Sequence, residues 1–338
     1  MDIKLFDYFL PKGMIAQFPE RDRELSRLLV LNRKTGAIEH RHFRDIGGYF
    51  KKGDVLVLND SKVFPARLAA RKDTGGAVDI LLLEKTGHKR WHCLANGIKK
   101  GKDSTEITIG IYKAVLTRNN TFWNIDFLYD GDEYDIIREC GKMPLPPYIK
   151  RDEGDPADFI RYQTVYADSP GSVAAPTAGF HFTSELLEGL EAQGITILKI
   201  TLHIGIGTFF LIKTDNVEDH AMHREYYHIL PDVKEYIKNA KAEGRRIIAC
   251  GTSAVRTLES AWMDNGNTPL NGFTELFIYP GYKFKMIDAM ITNFHLPRST
   301  PLMLVSAFAG KDYLMRCYNE AVENDYRFYS YGDAMFVF

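Results

Sequence analysis

The sequence predicts a mixed α/β protein with a small antiparallel β-barrel inserted into its main domain. Residues 64–144 contain short strand-like segments separated by turn residues, which is typical of a small barrel. After residue 150, strand-like and helix-like segments alternate. The proline-rich stretch 143–148 (MPLPPY) suits neither a helix nor a central strand, so it marks the second boundary. We therefore expect a discontinuous α/β domain (1–63 and 145–338) and an inserted barrel domain (64–144).

Composition and charge narrow the class of protein. The 338 residues are 45% hydrophobic and 26% charged, with a formal net charge of −1, which is ordinary for a globular protein. This balance does not indicate general binding to nucleic acid or membrane, although a local basic face stays open. The four cysteines lack zinc-site spacing, and no signal peptide or long apolar run is visible. We expect a cytoplasmic protein without a metal or a membrane span.

The first part of the α/β domain contains a hairpin over 28–42 and then the strand 55–58, which is apolar on both faces. Such a strand is expected in the interior of a sheet. It ends at Asn59 and Asp60, and ligands often bind beyond strand ends in open α/β sheets. A loop of Asx-type turns is the alternative interpretation.

The inserted domain combines short strands with one helix, 134–139, and a run of lysines. Lys99, Lys100 and Lys102 suggest a surface that holds RNA phosphates, although a solvated surface explains them equally simply. The predicted strands are 78–83, 91–95, 106–109, 114–116 and 122–128.

The second part of the α/β domain is predicted from periodicity and from helix start and stop signals. The predicted helices are 184–193, 233–243, 254–262, 302–309 and 313–324, and the predicted strands are 195–202, 245–250, 275–278 and 288–292.

The stretch 172–183 (SVAAPTAGFHFT) has neither helical nor strand periodicity. Small residues dominate it, and Pro176 and Gly179 predict a tight turn whose backbone a ligand can approach. His181 follows, and Thr183 has the residue type of a helix N-cap. An alanine-rich turn packed against the rest of the domain is the alternative.

Two further motifs stand at strand ends. The run 203–208 (HIGIGT) matches neither a dinucleotide fingerprint nor a Walker loop; its glycines indicate either a ligand against the backbone or a bend. The run 251–253 (GTS) precedes a helix whose N-terminus can bind an anion, with Arg256 on the first turn. Ser253 as a simple N-cap is the alternative.

Several histidines are candidates for proton transfer. His203 and His295 follow predicted strands, as do Asp60 and Asn293, so these side chains are expected at one edge of the sheet. Any one histidine alone is more often structural. His220 and His223, with Glu225, do not have the HExxH spacing of a zinc site.

Strings of residues spread over almost the whole chain resemble one family, in order. They are IAQFPERDRELSRLLVL (15–31), DVLVLNDSKVFPARL (54–68), MPLPPYI (143–149), SVAAPTAGFHFT (172–183), LHIGIGTF (202–209), HREYY (223–227), GTSAVRTLES (251–260), GFTELFIYPGY (272–282) and ITNFHLPRSTPLMLVSAFAG (291–310). The chain resembles the S-adenosylmethionine:tRNA ribosyltransferase-isomerases. Phe180 and Pro301 stand where this family usually has leucine, and both are hydrophobic exchanges.

The resemblance implies a cytoplasmic enzyme of queuosine biosynthesis with an inserted barrel. It implies that S-adenosylmethionine is a co-substrate whose ribosyl group, rather than its methyl group, is transferred and rearranged. The acceptor is 7-aminomethyl-7-deazaguanine at the wobble position of a tRNA, and the products are epoxyqueuosine in the tRNA, adenine and methionine. We expect the protein to act as a monomer.

The residue types suggest a role for each motif in such a reaction. Histidine suits proton transfer near neutral pH, and the sulfonium acidifies the adjacent C5′ hydrogens. The proposed acid/base residues are His181, His203 and His295, with Asp60 and Glu225 as alternatives. The proposed cofactor-binding residues are Ala175, Thr177, Gly179, Gly205, Gly207, Thr208, Thr252, Ser253, Arg256 and Asn293. The proposed RNA-binding residues are Lys99, Lys100, Lys102, Lys150 and Arg151.

Two rival functions belong to other classes. A non-catalytic RNA-binding protein needs only basic and aromatic residues, and it leaves the glycine and polar motifs at the strand ends unexplained. A conventional tRNA methyltransferase predicts S-adenosylhomocysteine as its product.

Overall fold

The computed structural model describes residues 1–99, 101–150, 155–209, 211–264 and 268–338. The chain forms two compact units. The α/β unit comprises Met1–Lys62, Pro146–Arg151 and Gln163–Phe338, and the barrel unit comprises Val63–Leu145 and Asp152–Tyr162.

The strands are, in chain order, β1 (Arg27–Leu31), β2 (Ile38–His42), β3 (Val55–Asn59), β4 (Ser61–Val63), β5 (Arg67–Lys72), β6 (Ala77–Gly87), β7 (Arg90–Asn96), β8 (Ser104–Ile109), β9 (Tyr112–Asn119), β10 (Phe122–Leu128), β11 (Gly141–Lys142), β12 (Ser169–Ser172), β13 (Thr196–Leu202), β14 (Glu225–His228), β15 (Ile247–Cys250), β16 (Asn271–Thr274), β17 (Ala289–Asn293) and β18 (Ala334–Val337).

The α-helices are α1 (Glu133–Cys140), α2 (Asp158–Arg161), α3 (Ser184–Ala192), α4 (Pro231–Ala242), α5 (Gly251–Ala261), α6 (Thr300–Ala309) and α7 (Lys311–Glu323). Short 3-10 helices cover Ile3–Phe6, Lys12–Met14, Arg23–Leu25, Phe43–Tyr49, Thr177–His181, Ile206–Phe209 and Val217–Asp219.

The α/β unit contains a large mixed sheet. Among the described residues its strand order is β16-β14-β13-β3-β15-β17-β18-β1-β2. Strands β13, β3, β15 and β17 run parallel to one another, and β18 runs antiparallel to β17. Cys250 is aligned with both Leu58 and Ile291. The four parallel strands therefore end at one edge of the sheet, called the carboxyl edge below.

The inner strands are buried on both faces because the residues on the two sides pack into different cores. In β3, Val55 and Val57 belong to one cluster, which also contains residues of α5, α6 and α7. Leu56 and Leu58 belong to a second cluster, which contains Phe182 and a residue of α3. This alternation is the period of two expected for a strand, and it explains the continuous apolar run VLVL at 55–58.

The barrel unit is a closed antiparallel sheet. The strand order is β5-β6-β7-β10-β9-β8, and pairing of β5 with β8 closes the barrel. Alternate residues such as Leu68, Ile80, Leu116 and Ile125 are fully buried and fill the interior, as expected for a small barrel. Helix α1 contributes Ile136 to this core.

The structure confirms the predicted fold class. The predicted domain bounds stay a prediction; the barrel unit of the structure also takes in Asp152–Tyr162. The strand predicted at 275–278 is wrong, because the strand there is β16 (Asn271–Thr274). None of the described helices has the length and hydropathy needed to cross a bilayer.

Candidate active site at the carboxyl edge

Asn59 ties together three elements at the carboxyl edge. Its buried amide donates to the Leu202 carbonyl (3.0 Å) and to Ser253 Oγ (3.1 Å), and it accepts from the Leu202 N–H (2.9 Å). The ends of β3 and β13 and the first turn of α5 are therefore joined through one side chain. Ser253 lies within this first turn, and the N-cap residue is Cys250, so the N-cap interpretation of Ser253 is wrong.

Gly251 allows β15 to turn directly into α5. Its φ of +89° lies in the left-handed region that favours glycine. A Cβ atom placed on it would lie 3.6 Å from Ala178 Cβ. The Thr177–His181 turn therefore lies against the start of α5, and two of the motifs found in the sequence are neighbours.

The Thr177–His181 turn needs small residues for a packing reason. A Cβ on Gly179 would lie only 1.9 Å from the Tyr166 hydroxyl oxygen, a distance that no side chain can accept. Tyr166 is buried, and burial raises the pKa of its hydroxyl well above the usual value. At the end of the motif, Thr183 Oγ1 accepts from the Leu186 N–H (3.1 Å) and caps α3, as the sequence predicts.

His181 lies at the end of this turn and is buried. Burial is the main cause that lowers its pKa to about 3, and the guanidinium groups of Arg23 and Arg327 lower it further. A side-chain hydrogen bond with Asn293 opposes this shift. The ring also packs at 5.0 Å from the ring of Phe43. At neutral pH, His181 is therefore an uncharged hydrogen-bonding group.

Asn293 ends β17 and is held by two neighbours. Its Nδ2 donates to the Tyr329 carbonyl (3.0 Å), and its side chain also forms a hydrogen bond with the His181 imidazole. Tyr329 has φ of +73°, which is unusual for an aromatic residue and often marks a functional region.

His203 and Asp60 form a second polar group at the same edge. Asp60 Oδ1 accepts from the Thr201 hydroxyl (2.7 Å), and the Asp60 carboxylate raises the pKa of His203 against the larger lowering effect of burial. The His203 ring stacks on Tyr226 (5.8 Å between ring centres). Its buried Nδ1 has no partner within the described part of the chain.

The buried charges of Glu225 and Arg256 are paired with each other. They form a buried ion pair, Arg256 Nε donates to the Leu276 carbonyl (3.0 Å), and Glu225 accepts from the Gly205 N–H (2.9 Å). This network joins α5 to β14 and to the turn after β13. Both residues have a structural explanation, and the roles predicted for them stay predictions.

His295 is not brought together with His181. Its Nε2 makes a hydrogen bond with Thr292 Oγ1 (2.7 Å). Consecutive strand residues point to opposite faces, so Thr292 and Asn293 face different sides of β17. His295 is therefore on the Thr292 side, whereas His181 is on the Asn293 side. The His295 carbonyl accepts from the Tyr8 hydroxyl, and its N–H donates to the Tyr318 hydroxyl (2.9 Å). Burial lowers its pKa to about 3.

The remaining predicted residues fall into three groups. Thr177, Thr208 and Thr252 are partly exposed, while Ala175 is buried. Gly207 packs against His223, since a Cβ on it would lie 2.7 Å from the His223 ring. Lys99, Lys102 and Lys150 are exposed, and Lys100 and Arg151 lie outside the described residues.

Sequence reasoning missed the segment before β18. Asp333 is buried, accepts from the backbone N–H groups of Arg27 (2.9 Å) and Arg327 (2.7 Å), and has a pKa raised mainly by burial. Tyr329 belongs to the same segment. The run 327–333 (RFYSYGD) combines turn and aromatic residues, and this pattern is the signal that would have identified it.

No cluster of three or more histidine, cysteine, aspartate or glutamate side chains that could hold a metal occurs among the residues described. The site instead offers uncharged donors and acceptors: a neutral imidazole, an amide oxygen, hydroxyl groups and the N–H groups at the start of α5. Such groups suit an organic ligand.

The α/β unit carries buried polar groups beyond its parallel strands, and the same chain contains a closed barrel. These features are those of an enzyme whose α/β domain carries an inserted β-barrel. A family model described as queuosine biosynthesis protein matches residues 3–337. The chain therefore belongs to the queuosine biosynthesis protein family. The resemblance found in the sequence is confirmed, and so is the expectation of an enzyme.

A solved structure supports the same assignment. The chain is similar to the crystal structure of S-adenosylmethionine tRNA ribosyltransferase from Thermotoga maritima, with 38% sequence identity and a TM-score of 0.57. The match covers 99% of this chain and 100% of that chain.

Proposed function

We propose that this enzyme transfers and isomerises the ribosyl group of S-adenosylmethionine onto 7-aminomethyl-7-deazaguanine at the wobble position of a tRNA. The products are epoxyqueuosine in the tRNA, adenine and methionine. Family membership and the solved relative's name support this reaction. The observation that carries it is the polar group at the carboxyl edge in which Asp60 acts on His203, whose buried Nδ1 has no partner among the described residues.

The reaction needs several proton transfers. A base must remove a C5′ hydrogen next to the sulfonium, the departing adenine must gain a proton, and the attacking aminomethyl group must be neutral. Positioned acid/base groups typically accelerate such steps by about 10²–10⁴-fold. Three histidines are candidates, and their surroundings differ.

His203 is the best proton-transfer candidate. Its pKa is lowered less severely than those of His181 and His295, because its ring is less completely buried and because Asp60 favours the charged form. Its Nδ1 lacks a partner among the described residues and can bind substrate. Asp60, held by Thr201, acts as the residue that positions and tunes His203.

His181 and His295 suit proton transfer less well. A pKa of about 3 makes each imidazole a weak base and leaves almost no imidazolium at neutral pH. His295 also has its Nε2 occupied by Thr292. We therefore assign His203 the acid/base role and His181 a binding role.

The backbone at the carboxyl edge supplies further binding groups. The first N–H groups of α5 carry partial positive charge and can hold the carboxylate of the methionyl group. Thr252 lies in that first turn and is partly exposed. Thr177 and Thr208 add hydroxyl groups from neighbouring motifs.

The RNA substrate requires separate contacts. The aminomethyl group of the wobble base must reach a buried site, so the base is expected to leave the stack of the anticodon. The exposed lysines Lys99 and Lys102 of the barrel, and Lys150 of the α/β unit, are proposed to bind phosphates. The expected monomeric state and cytoplasmic location stay predictions.

The test is incubation of the protein with S-adenosylmethionine and precursor tRNA, followed by chromatography and mass spectrometry of the nucleosides. We expect equal amounts of adenine and epoxyqueuosine. S-adenosylhomocysteine as the product would instead show a methyltransferase. Binding of tRNA without turnover of S-adenosylmethionine would show a non-catalytic RNA-binding protein.

A further inference from the structure

The outer strands of the large sheet carry side chains on a face that is partly exposed. In β13 and β14, Leu202 and Tyr227 are buried on one side, in the cluster that contains residues of α4 and α5. Alternate strand residues point to opposite faces, so Tyr226 and its opposite partner Phe273 lie on the other side, where Phe273 is 53% exposed. This side is called the outer face below, and its residues are Lys199, Thr201, His203, Arg224, Tyr226, His228, Asn271 and Phe273.

Three rings form a continuous row on the outer face. The His203 ring stacks on Tyr226, with 5.8 Å between ring centres and 18° between ring planes. Tyr226 packs edge to face with Phe273, with 5.7 Å between ring centres. Because β16 is the edge strand of the sheet among the described residues, the row runs from an exposed edge to the candidate acid/base group at the carboxyl edge.

The charges of the outer face are mainly positive. Lys199 and Arg224 are exposed, and the Arg224 guanidinium lies over the Phe273 ring, 4.6 Å from its centre. Glu225 is the one carboxylate in β13, β14 and β16, and it is buried in an ion pair on the opposite face. The Asp60 carboxylate acts on His203 at the inner end of the row. Towards the edge strand, the outer face therefore complements a polyanion.

We propose that the outer face binds an unpaired nucleotide of the tRNA anticodon loop, next to the wobble base. Its base stacks on Phe273 and Tyr226, and phosphates of the loop contact Arg224 and Lys199. Proteins bind single-stranded RNA in this way, because unstacked bases pack on aromatic rings or guanidinium planes while cations hold the backbone. This inference rests on the function proposed above and adds a contact surface for its RNA substrate.

S-adenosylmethionine also contains a base that can stack on an aromatic ring. It carries a positive sulfonium and no phosphate, so the two exposed cations of the outer face suit it poorly. The phosphates of RNA repeat along the chain and match cations that are spread over a strand face. The outer face is therefore assigned to RNA, and the experiment separates the two ligands.

The test measures the affinity of Phe273→Ala for the anticodon stem–loop of the precursor tRNA, without S-adenosylmethionine. We expect the affinity to fall about fivefold or more, because the variant loses a stacking surface for one base. Phe273→Trp retains such a surface and should bind nearly as tightly as wild type. With a fully paired hairpin of the same length the difference should disappear, since all its bases are already stacked.

The control is Phe9→Ala, which removes another aromatic side chain, 81% exposed, that is not on the outer face. It should bind the stem–loop as wild type does, and an equal loss of affinity would contradict the inference. Lys199→Gln should reduce the slope of log affinity against log salt by about 0.7 for one lost phosphate contact. Phe273→Ala should keep the wild-type slope. Melting temperatures verify that each variant is folded.

Steady-state kinetics distinguish the two ligands. Phe273→Ala should raise KM for the tRNA and leave KM for S-adenosylmethionine unchanged. A raised KM for S-adenosylmethionine alone would overturn the inference, and so would equal affinity of wild type and Phe273→Ala for the stem–loop. Neither result would affect the proposed function. Weaker RNA binding by Phe273→Ala, in a protein that releases no adenine from S-adenosylmethionine, would instead support the outer face and overturn the proposed function.

Discussion

Two groups of buried polar side chains in the α/β unit differ in how fully they are hydrogen-bonded. Around α5, Arg256 pairs with Glu225, and Glu259 accepts from three backbone N–H groups and from the Tyr282 hydroxyl. At the carboxyl edge, the buried Nδ1 of His203 has no partner in the described structure. Burial alone therefore does not distinguish a binding group from a structural one. Unused hydrogen-bonding capacity does.

The largest expected effect is on stability and concerns the Arg256–Glu225 pair. Arg256→Leu should lower the free energy of unfolding by about 3–5 kcal/mol, because it leaves the Glu225 carboxylate buried without its partner. The double variant with Glu225→Leu should recover part of the loss. Denaturant unfolding measures both values.

An exposed ion pair provides the control for this prediction. Glu235→Gln removes a partner of Lys238, and both side chains are more than half exposed. This change should cost less than about 1 kcal/mol. A similar cost for Arg256→Leu would contradict the structural role of the α5 pair.

The next effect is on turnover and concerns His203. His203→Gln should lower kcat by about 10²-fold or more, since it removes the acid/base group, while the melting temperature changes little. The exposed His88 gives a control, His88→Gln, with wild-type kcat. Full turnover by His203→Gln would move the acid/base role to another residue.

The pH dependence of stability separates the buried histidines from exposed ones. The folded-state pKa values of His181 and His295 are about 3, below the unfolded value of about 6.5. The unfolded chain therefore binds more protons between these values, and stability falls as the pH drops below about 6.5.

Each of these two histidines should contribute about 2 kcal/mol to the loss of stability between pH 7 and pH 5. His295→Phe should make the measured free energy of unfolding less steep over this range. An unchanged slope would show that the ring is solvated in the folded state.

The smallest expected effect concerns the barrel. The double variant Lys99→Glu with Lys102→Glu should reduce the slope of log affinity for tRNA against log salt by about one per lysine that contacts a phosphate. Lys34→Glu, an exposed lysine of the α/β unit, is the control. Equal slopes in all proteins would remove the barrel lysines from the RNA-binding surface.

Much of the carboxyl edge could be predicted from the sequence. Apolar runs that end in polar residues place Asn59, His203 and Asn293 at strand ends, because parallel strands end at the same edge of a sheet. The barrel was also predicted from short alternating strands, although β5 was missed because its sequence RLAARK is weakly apolar.

What could not be predicted is the direction of side chains and their distant partners. A shift of one residue reverses the face of a strand, and so His295 was grouped with His181 although its ring pairs with Thr292. The pairing of Glu225 with Arg256, 31 residues apart, depends on the tertiary fold. The carbonyl of Tyr329 became visible as a partner of Asn293 only in the structure.

Gly179 and Tyr166 show how the fold constrains redesign of the site. A methyl group at position 179 would lie 1.9 Å from the Tyr166 hydroxyl oxygen and 2.9 Å from its Cζ. A library that varies position 179 must therefore vary Tyr166 and Thr164 with it, because Thr164 Cγ2 would also lie 2.8 Å from the added carbon.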